Sequence, residues 1–165
     1  MVLSNEEINN ACLHILETSL SKDVLLNDIF QNYYNTGLRA NELLQISRWS
    51  KNIDDKFICD TEKGSNDRIF ESSELTPFFI ASFLAGEEPY LYNSFSTVNL
   101  YFQRWLPYAF CRVNSKNLGV CMFRHNKIKQ MKDNGQTFEQ IKLYFGEVEL
   151  NNILGYYNSQ ITVPD

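Results

Sequence analysis

The sequence predicts an α+β fold, mostly α, with a small antiparallel element that is a β-hairpin or a three-stranded sheet. Three observations predict it. Apolar residues recur at helical spacing along most of the chain, and capping signals punctuate those runs. The period changes to short β-type segments only around one Gly/Ser/Asn/Asp turn. At 165 residues the chain has the length of one domain with its own core. No repeat, low-complexity tract or Pro/Gly/Ser linker divides it, so residues 1–165 read as a single domain.

The elements follow in order. Ser4-Asn5-Glu6-Glu7 is a capping box, in which the Ser4 hydroxyl takes the Glu7 amide and Glu7 reaches back. Ile8, Cys12, Ile15 and Leu16 then recur on one helical face. Residues 24–35 repeat the pattern with Leu25, Ile29 and Tyr33, until Gly37 breaks it. A helix restarts over Arg39 to Ile46. Phe57-Ile58-Cys59 and Arg68-Ile69-Phe70 flank the turn Lys63 to Asp67 and read as a hairpin. Pro77 opens a helix that Gly86 closes. Residues 94–112 read as a helix whose aromatic stripe (Phe95, Tyr101, Phe102, Trp105, Tyr108, Phe110) is expected in the core. Arg124 to Asp133 is basic and helical. Thr137-Phe138-Glu139-Gln140 is a second capping box, Gly146 ends its helix, and residues 150–157 form the last one.

Composition narrows the function classes. No apolar run approaches the roughly 18 residues of a membrane helix, and the polar, acidic start does not fit a signal peptide. Cys12, Cys59, Cys111 and Cys121 form no CxxC pair, so reduced thiols in a cytoplasm are expected rather than a zinc site or disulfides. Net charge is −5, yet Pro89 to Lys132 holds no acid and seven cations: Arg104, Arg112, Lys116, Arg124, Lys127, Lys129 and Lys132. Two readings stand side by side. One is a basic face for phosphates, the other a basic surface helix paired with acids from elsewhere.

Four boxes carry a resemblance. Thr36-Gly37-Leu38-Arg39-Ala40-Asn41-Glu42 is similar to the first box of tyrosine recombinases, the phage-integrase family of DNA strand-exchange enzymes. The turn holding Lys63 follows Arg39 by 24 residues, the place of that family's hairpin lysine. Cys121-Met122-Phe123-Arg124-His125 resembles its His-x-x-Arg box, and Tyr144-Phe145-Gly146-Glu147 its Leu-Gly-His box. Tyr156 follows Gly146 by ten residues and Arg124 by 32, as the family's nucleophile does. The likeness spans nearly the whole chain, and any one box alone is weakly specific.

The resemblance implies a catalytic domain that cleaves and rejoins DNA through a 3′-phosphotyrosyl link, from a phage or other mobile element. Arg39 and Arg124 would bind the scissile phosphate, with Lys127 on the neighbouring basic helix as a further phosphate contact. Glu42 would support Arg39, Lys63 would protonate the leaving 5′-oxygen, and Tyr156 would attack. Double-stranded DNA is the implied partner, with self-association on DNA, a C-terminal tail docking on a neighbouring protomer, and no metal or other cofactor. The family's N-terminal DNA-clamping domain is not among these residues. Two catalytic positions depart from the pattern, with Cys121 in place of a His or Lys and Glu147 in place of a His or Trp. Both replacements favour an alternative, an integrase-like DNA-binding protein with impaired cleavage. The acidic net charge supports a third reading, a protein-interaction domain.

The residue types suit the chemistry. Guanidiniums stay protonated and bind phosphate oxygens in pairs. A phenol with a pKa of about 10 needs a positive environment or a base to attack near neutral pH. Plainer readings exist for each residue: a surface arginine at Arg39, a solvated turn lysine at Lys63, a member of a solvated stripe at Arg124, a core aromatic at Tyr156 or Tyr157, and a small buried residue at Cys121.

Overall fold

The computed structural model describes residues 1–61, 66–148 and 150–165. Among them the chain is α+β and mainly helical, with a three-stranded antiparallel sheet and a separate two-stranded one. Helix α1 (Asn5–Lys22) starts at the reciprocal Ser4–Glu7 capping box and buries Ile8, Ala11, Cys12, Ile15 and Leu16. Helix α2 (Val24–Thr36) is capped by Asp23, and its Leu26, Ile29, Phe30 and Tyr33 are buried. It stops at Gly37, which sits at φ 67°. A Cβ there would lie 2.8 Å from the Phe145 ring, so the left-handed turn and the close approach both require glycine.

Helix α3 (Ala40–Leu44) is shorter than the sequence pattern suggests, and the backbone turns extended at Gln45. Strands β1 (Trp49–Lys51), β2 (Phe57–Cys59) and β3 (Arg68–Phe70) form the larger sheet in that order. The pairing sets Cys59 opposite Arg68 and Phe57 opposite Phe70. Alternation then puts Phe57, Cys59, Arg68 and Phe70 inward and leaves Ile69 outward. Helix α4 (Pro77–Leu84) begins at the Thr76 cap with Pro at its first position.

The expected helix over 94–112 is two elements. Helix α5 (Phe95–Trp105) ends at Leu106, whose φ of −63° and ψ of 132° are extended. The cause is Pro107, because the residue before a proline is disfavoured in the helical region. Beyond it, β4 (Cys111–Val113) and β5 (Lys116–Leu118) pair antiparallel. Their connection is Asn114-Ser115, both with positive φ (51° and 65°), the geometry that matches a two-residue hairpin turn to strand twist. The aromatic stripe is therefore only partly core. Phe102 is fully buried, Tyr101, Trp105, Tyr108 and Phe110 are half-buried, and Phe95 is 47% exposed.

Helix α6 (Met122–Asp133) runs through the middle and touches α1, α2, α7 and α8. Its buried set includes Arg124, His125 and Lys129 beside Met122, Phe123, Ile128 and Met131. The solvated basic stripe is thus overturned for Arg124 and Lys129, because a helix packed on several sides has no wide solvent face. Helix α7 (Phe138–Tyr144) starts at the Thr137–Gln140 capping box. Gly146 follows at φ 67°, where a Cβ would come 2.5 Å from the Asn66 carbonyl oxygen. Helix α8 (Leu150–Tyr157) packs on α6 through Ile153, in a cluster with Ile128, Met131, Ile141 and Phe145.

The tail after α8 folds onto its own chain. Ile161 and Val163 are buried, and Thr162 between them bridges Val2 and Arg112. The Leu3 amide donates to the Ile161 carbonyl at 2.9 Å. Apolar–polar alternation across Ile161-Thr162-Val163 seats this segment against Val2 and Arg112. No helix among the described residues is long and apolar enough to cross a membrane.

Candidate active site

Arg39 stands at the mouth of the α2–α3 turn. Its amide donates to Glu42 Oε1 at 2.8 Å, and its Nη1 lies 3.5 Å from Glu42 Oε2. Glu42 is fully buried, and its backbone carbonyl accepts the Trp49 indole N–H at 2.7 Å. The acid is thereby fixed by α3 and β1 together, and it fixes Arg39. Burial opposes the Arg39 charge, but Glu42 and Glu147 outweigh it and hold the proton above the ordinary arginine value.

Arg124 is supplied by the first turn of α6. Its side chain is 1% exposed, with Nη1 on the Gly37 carbonyl at 3.2 Å and Nη2 on Glu147 Oε1 at 2.7 Å. The guanidinium lies 4.6 Å from the Phe145 ring centre and 5.0 Å from that of Tyr156. Burial and the Arg39 cation bring its pKa down to about 10, so it is still protonated near neutral pH.

Glu147 joins the two arginines. Its Oε1 accepts from Arg39 Nη2 at 2.9 Å and from Arg124 Nη2 at 2.7 Å, while Oε2 accepts from Asn152 of α8 at 3.3 Å. The carboxylate that departs from the resemblance is therefore held by both expected phosphate ligands, on an oxygen they share. Its position comes from Gly146, whose left-handed backbone turns the chain back toward α2 and α6.

Beside this cluster is a cavity of about 400 Å³ lined by Arg39, Arg124, Cys121, Tyr156, Phe95 and Asn99, among others. Tyr156 is half-buried and its ring sits 4.5 Å from that of His125. Cys121 is exposed, which corrects the reading of a small buried residue, since it precedes α6 at the cavity rim. Tyr157 turns the other way, with its ring 5.4 Å from Phe138 and 4.2 Å from the Lys132 ammonium.

His125 holds the Tyr156 segment from behind. Its Nδ1 is 2.8 Å from Ser159 Oγ, which donates to the Tyr156 carbonyl at 3.0 Å. Lys129 Nζ donates to the Ser159 carbonyl at 2.6 Å. Burial, with Lys129 and Arg124 nearby, pulls the imidazole pKa from 6.5 down to about 3. Between those values the unfolded state binds more protons than the folded one, so this contribution to stability is complete above about 6.5 and is lost as pH falls toward 3. The expected slope is up to about 1.4 kcal/mol per pH unit. Urea unfolding midpoints measured across that range should flatten in His125→Asn; an undiminished slope would assign the acid sensitivity to other groups.

Other expected residues are placed differently. Lys127 does not reach the arginine pair: it lines a separate cavity with Tyr34, Asn35, Ser73, Glu74, Asn126 and Gln130, its ammonium 5.6 Å from the Tyr144 ring. Lys63 lies outside the described residues. One residue the sequence reading missed is Arg68, fully buried among the rings of Phe70, Tyr144 and Phe145. It donates to the Thr36 carbonyl at 2.8 Å and the Tyr144 carbonyl at 3.1 Å, tying the hairpin to the ends of α2 and α7 beneath the site. An arginine two residues before Phe70, in the inward phase of the strand's alternation, was the available signal. Comparisons with protein-family models, with curated proteins and with solved structures gave no match to this chain.

Proposed function

We propose that this chain is the catalytic domain of a tyrosine recombinase, cutting and rejoining DNA strands through a 3′-phosphotyrosyl intermediate. One observation carries the reading: Arg39 and Arg124, from distant parts of the sequence, meet on one anionic oxygen beside a cavity that Tyr156 also lines. A phosphodiester seated there would have its non-bridging oxygens on the two guanidiniums, which stabilise the charge that builds in the transition state. Tyr156 loses its phenolic proton to solvent as its oxygen attacks phosphorus, the bond to the 5′-oxygen breaks, and that oxygen takes a proton. The resemblance gives Lys63 the donor's role. Attack by a 5′-hydroxyl on the phosphotyrosine reverses the step and releases Tyr156.

A second reading is an integrase-like DNA-binding protein that retains the arginines and does not cleave. Cys121 at the cavity rim favours it, because a thiol there replaces a His or Lys that would donate to the phosphate. Incubation with a nicked duplex, followed by denaturing electrophoresis, separates the two. A covalent protein–DNA adduct supports cleavage. DNA retention that weakens steeply with salt, without an adduct, supports the second reading, because phosphate contacts release counterions. Retention that is absent at low salt overturns both.

A further inference from the structure

We propose that Glu147 is the chain's own substitute for a phosphate oxygen, so that the seat between Arg39 and Arg124 is an oxyanion site held closed from within. The inference rests on the reading of that pocket as a phosphodiester site and adds how entry to it is controlled. The geometry is that of a bound oxyanion: one oxygen takes an N–H from each of two guanidiniums at 2.9 and 2.7 Å. Charge-assisted bonds of this length are the ones arginines make to carboxylate and phosphate alike. The Glu147 side chain is fully buried, and Arg124 beside it is 1% exposed. Arg124 also keeps an unused donor, since its buried Nε has no hydrogen-bond partner among the described residues. A single carboxylate leaves that donor unsatisfied, and a phosphate has more acceptor oxygens than a carboxylate.

The charges point the same way. Arg39 and Arg124 are balanced by the two acids that touch them, Glu42 and Glu147. An incoming phosphodiester therefore meets a compensated pair until Glu147 withdraws. The second Glu147 oxygen is tethered at 3.3 Å to Asn152, which lies one helical turn before Tyr156 on α8. Release of Glu147 thus frees the arginines and loosens the helix that carries the phenol in one motion. Glu42 does not share this role, because it takes the Arg39 amide, its own backbone carbonyl is held by Trp49, and, among the described residues, its carboxylate makes no hydrogen bond to Arg124.

The test uses inorganic phosphate as the probe, with chloride at matched ionic strength as the reference and thermal unfolding as the readout. The intact chain should show little phosphate-specific rise in Tm. Glu147→Gln and Glu147→Ala should melt lower in chloride and regain stability in phosphate, with apparent phosphate affinity at least tenfold above that of the intact chain. Adding Arg39→Gln to either variant should erase the gain. Equal phosphate response in intact and variant chains overturns the proposal, as does a gain that survives loss of Arg39. A Glu147→Ala chain that folds only in phosphate supports it, and one that phosphate fails to rescue overturns it. A parallel titration with a DNA duplex distinguishes the two levels of the argument. Phosphate rescue without DNA binding leaves the closed oxyanion seat standing and removes the recombinase reading. DNA binding and adduct formation without any phosphate effect of Glu147 does the reverse.

Discussion

Tyr156→Phe should abolish the covalent DNA adduct while leaving non-covalent DNA retention almost unchanged. The substitution removes one oxygen and keeps the ring. That ring contributes packing of its own, 4.5 Å from His125 and 5.0 Å from the Arg124 guanidinium, so stability should move by less than about 1 kcal/mol. The attacking atom has no replacement in phenylalanine, and covalent catalysis then has no route. Tyr157→Phe is the internal control. Its ring faces Phe138 and Lys132, away from the arginine pair, and the adduct should form at the intact chain's level. Denaturing gels of both variants with a labelled nicked duplex give the answer. An adduct that persists in Tyr156→Phe, or that disappears in Tyr157→Phe, removes Tyr156 from the nucleophile's role.

What the sequence made legible was whatever short-range chemistry decides. The capping boxes at Ser4 and Thr137 set helix starts because the bonds involved span three residues. The pairing of Phe57–Cys59 with Arg68–Phe70 followed from alternation around a turn-rich segment. Two kinds of feature were missed, local breaks in an apolar pattern and contacts made at long range. Pro107 cut a run of helix-compatible aromatics at Leu106, and Asn114-Ser115 made a hairpin turn without the glycine that usually announces one. The burial of Arg124 and Lys129 depends on neighbours brought in by α1, α2 and α8, which no local period reveals. At the site, the spacing pointed to Arg39, Arg124 and Tyr156, which line one cavity. The bridging of Arg39 and Arg124 by Glu147 was not legible, because it joins three segments through side-chain tips. Glu147, which stands where the resembled family has a His or Trp, pairs with both arginines and is a satisfied charge.

Arg124→Ala should destabilise the chain by about 3–5 kcal/mol, the range for breaking a buried ion pair from one side. Set against a total of roughly 5–15 kcal/mol for a domain, that is a large fraction. Three losses combine. Glu147, whose side chain is fully buried, loses its 2.7 Å bond from Nη2. The Gly37 carbonyl loses its donor at 3.2 Å, and the space between the Phe145 and Tyr156 rings becomes a void. Arg39→Ala should cost less, since that side chain is 13% exposed and water can reach the vacated position. Arg124→Met should fall between them, because it fills part of the volume and leaves the polar partners unmatched. Urea unfolding of the three variants gives the ranking. An Arg124→Ala chain within about 1 kcal/mol of the intact one would mean that the guanidinium is solvated and not the buried joint between α2, α6 and Glu147. The ranking also decides how DNA-binding losses are read. A loss in Arg124→Ala mixes a missing phosphate ligand with a weakened fold, whereas a loss in the better-folded Arg39→Ala reports the phosphate contact itself.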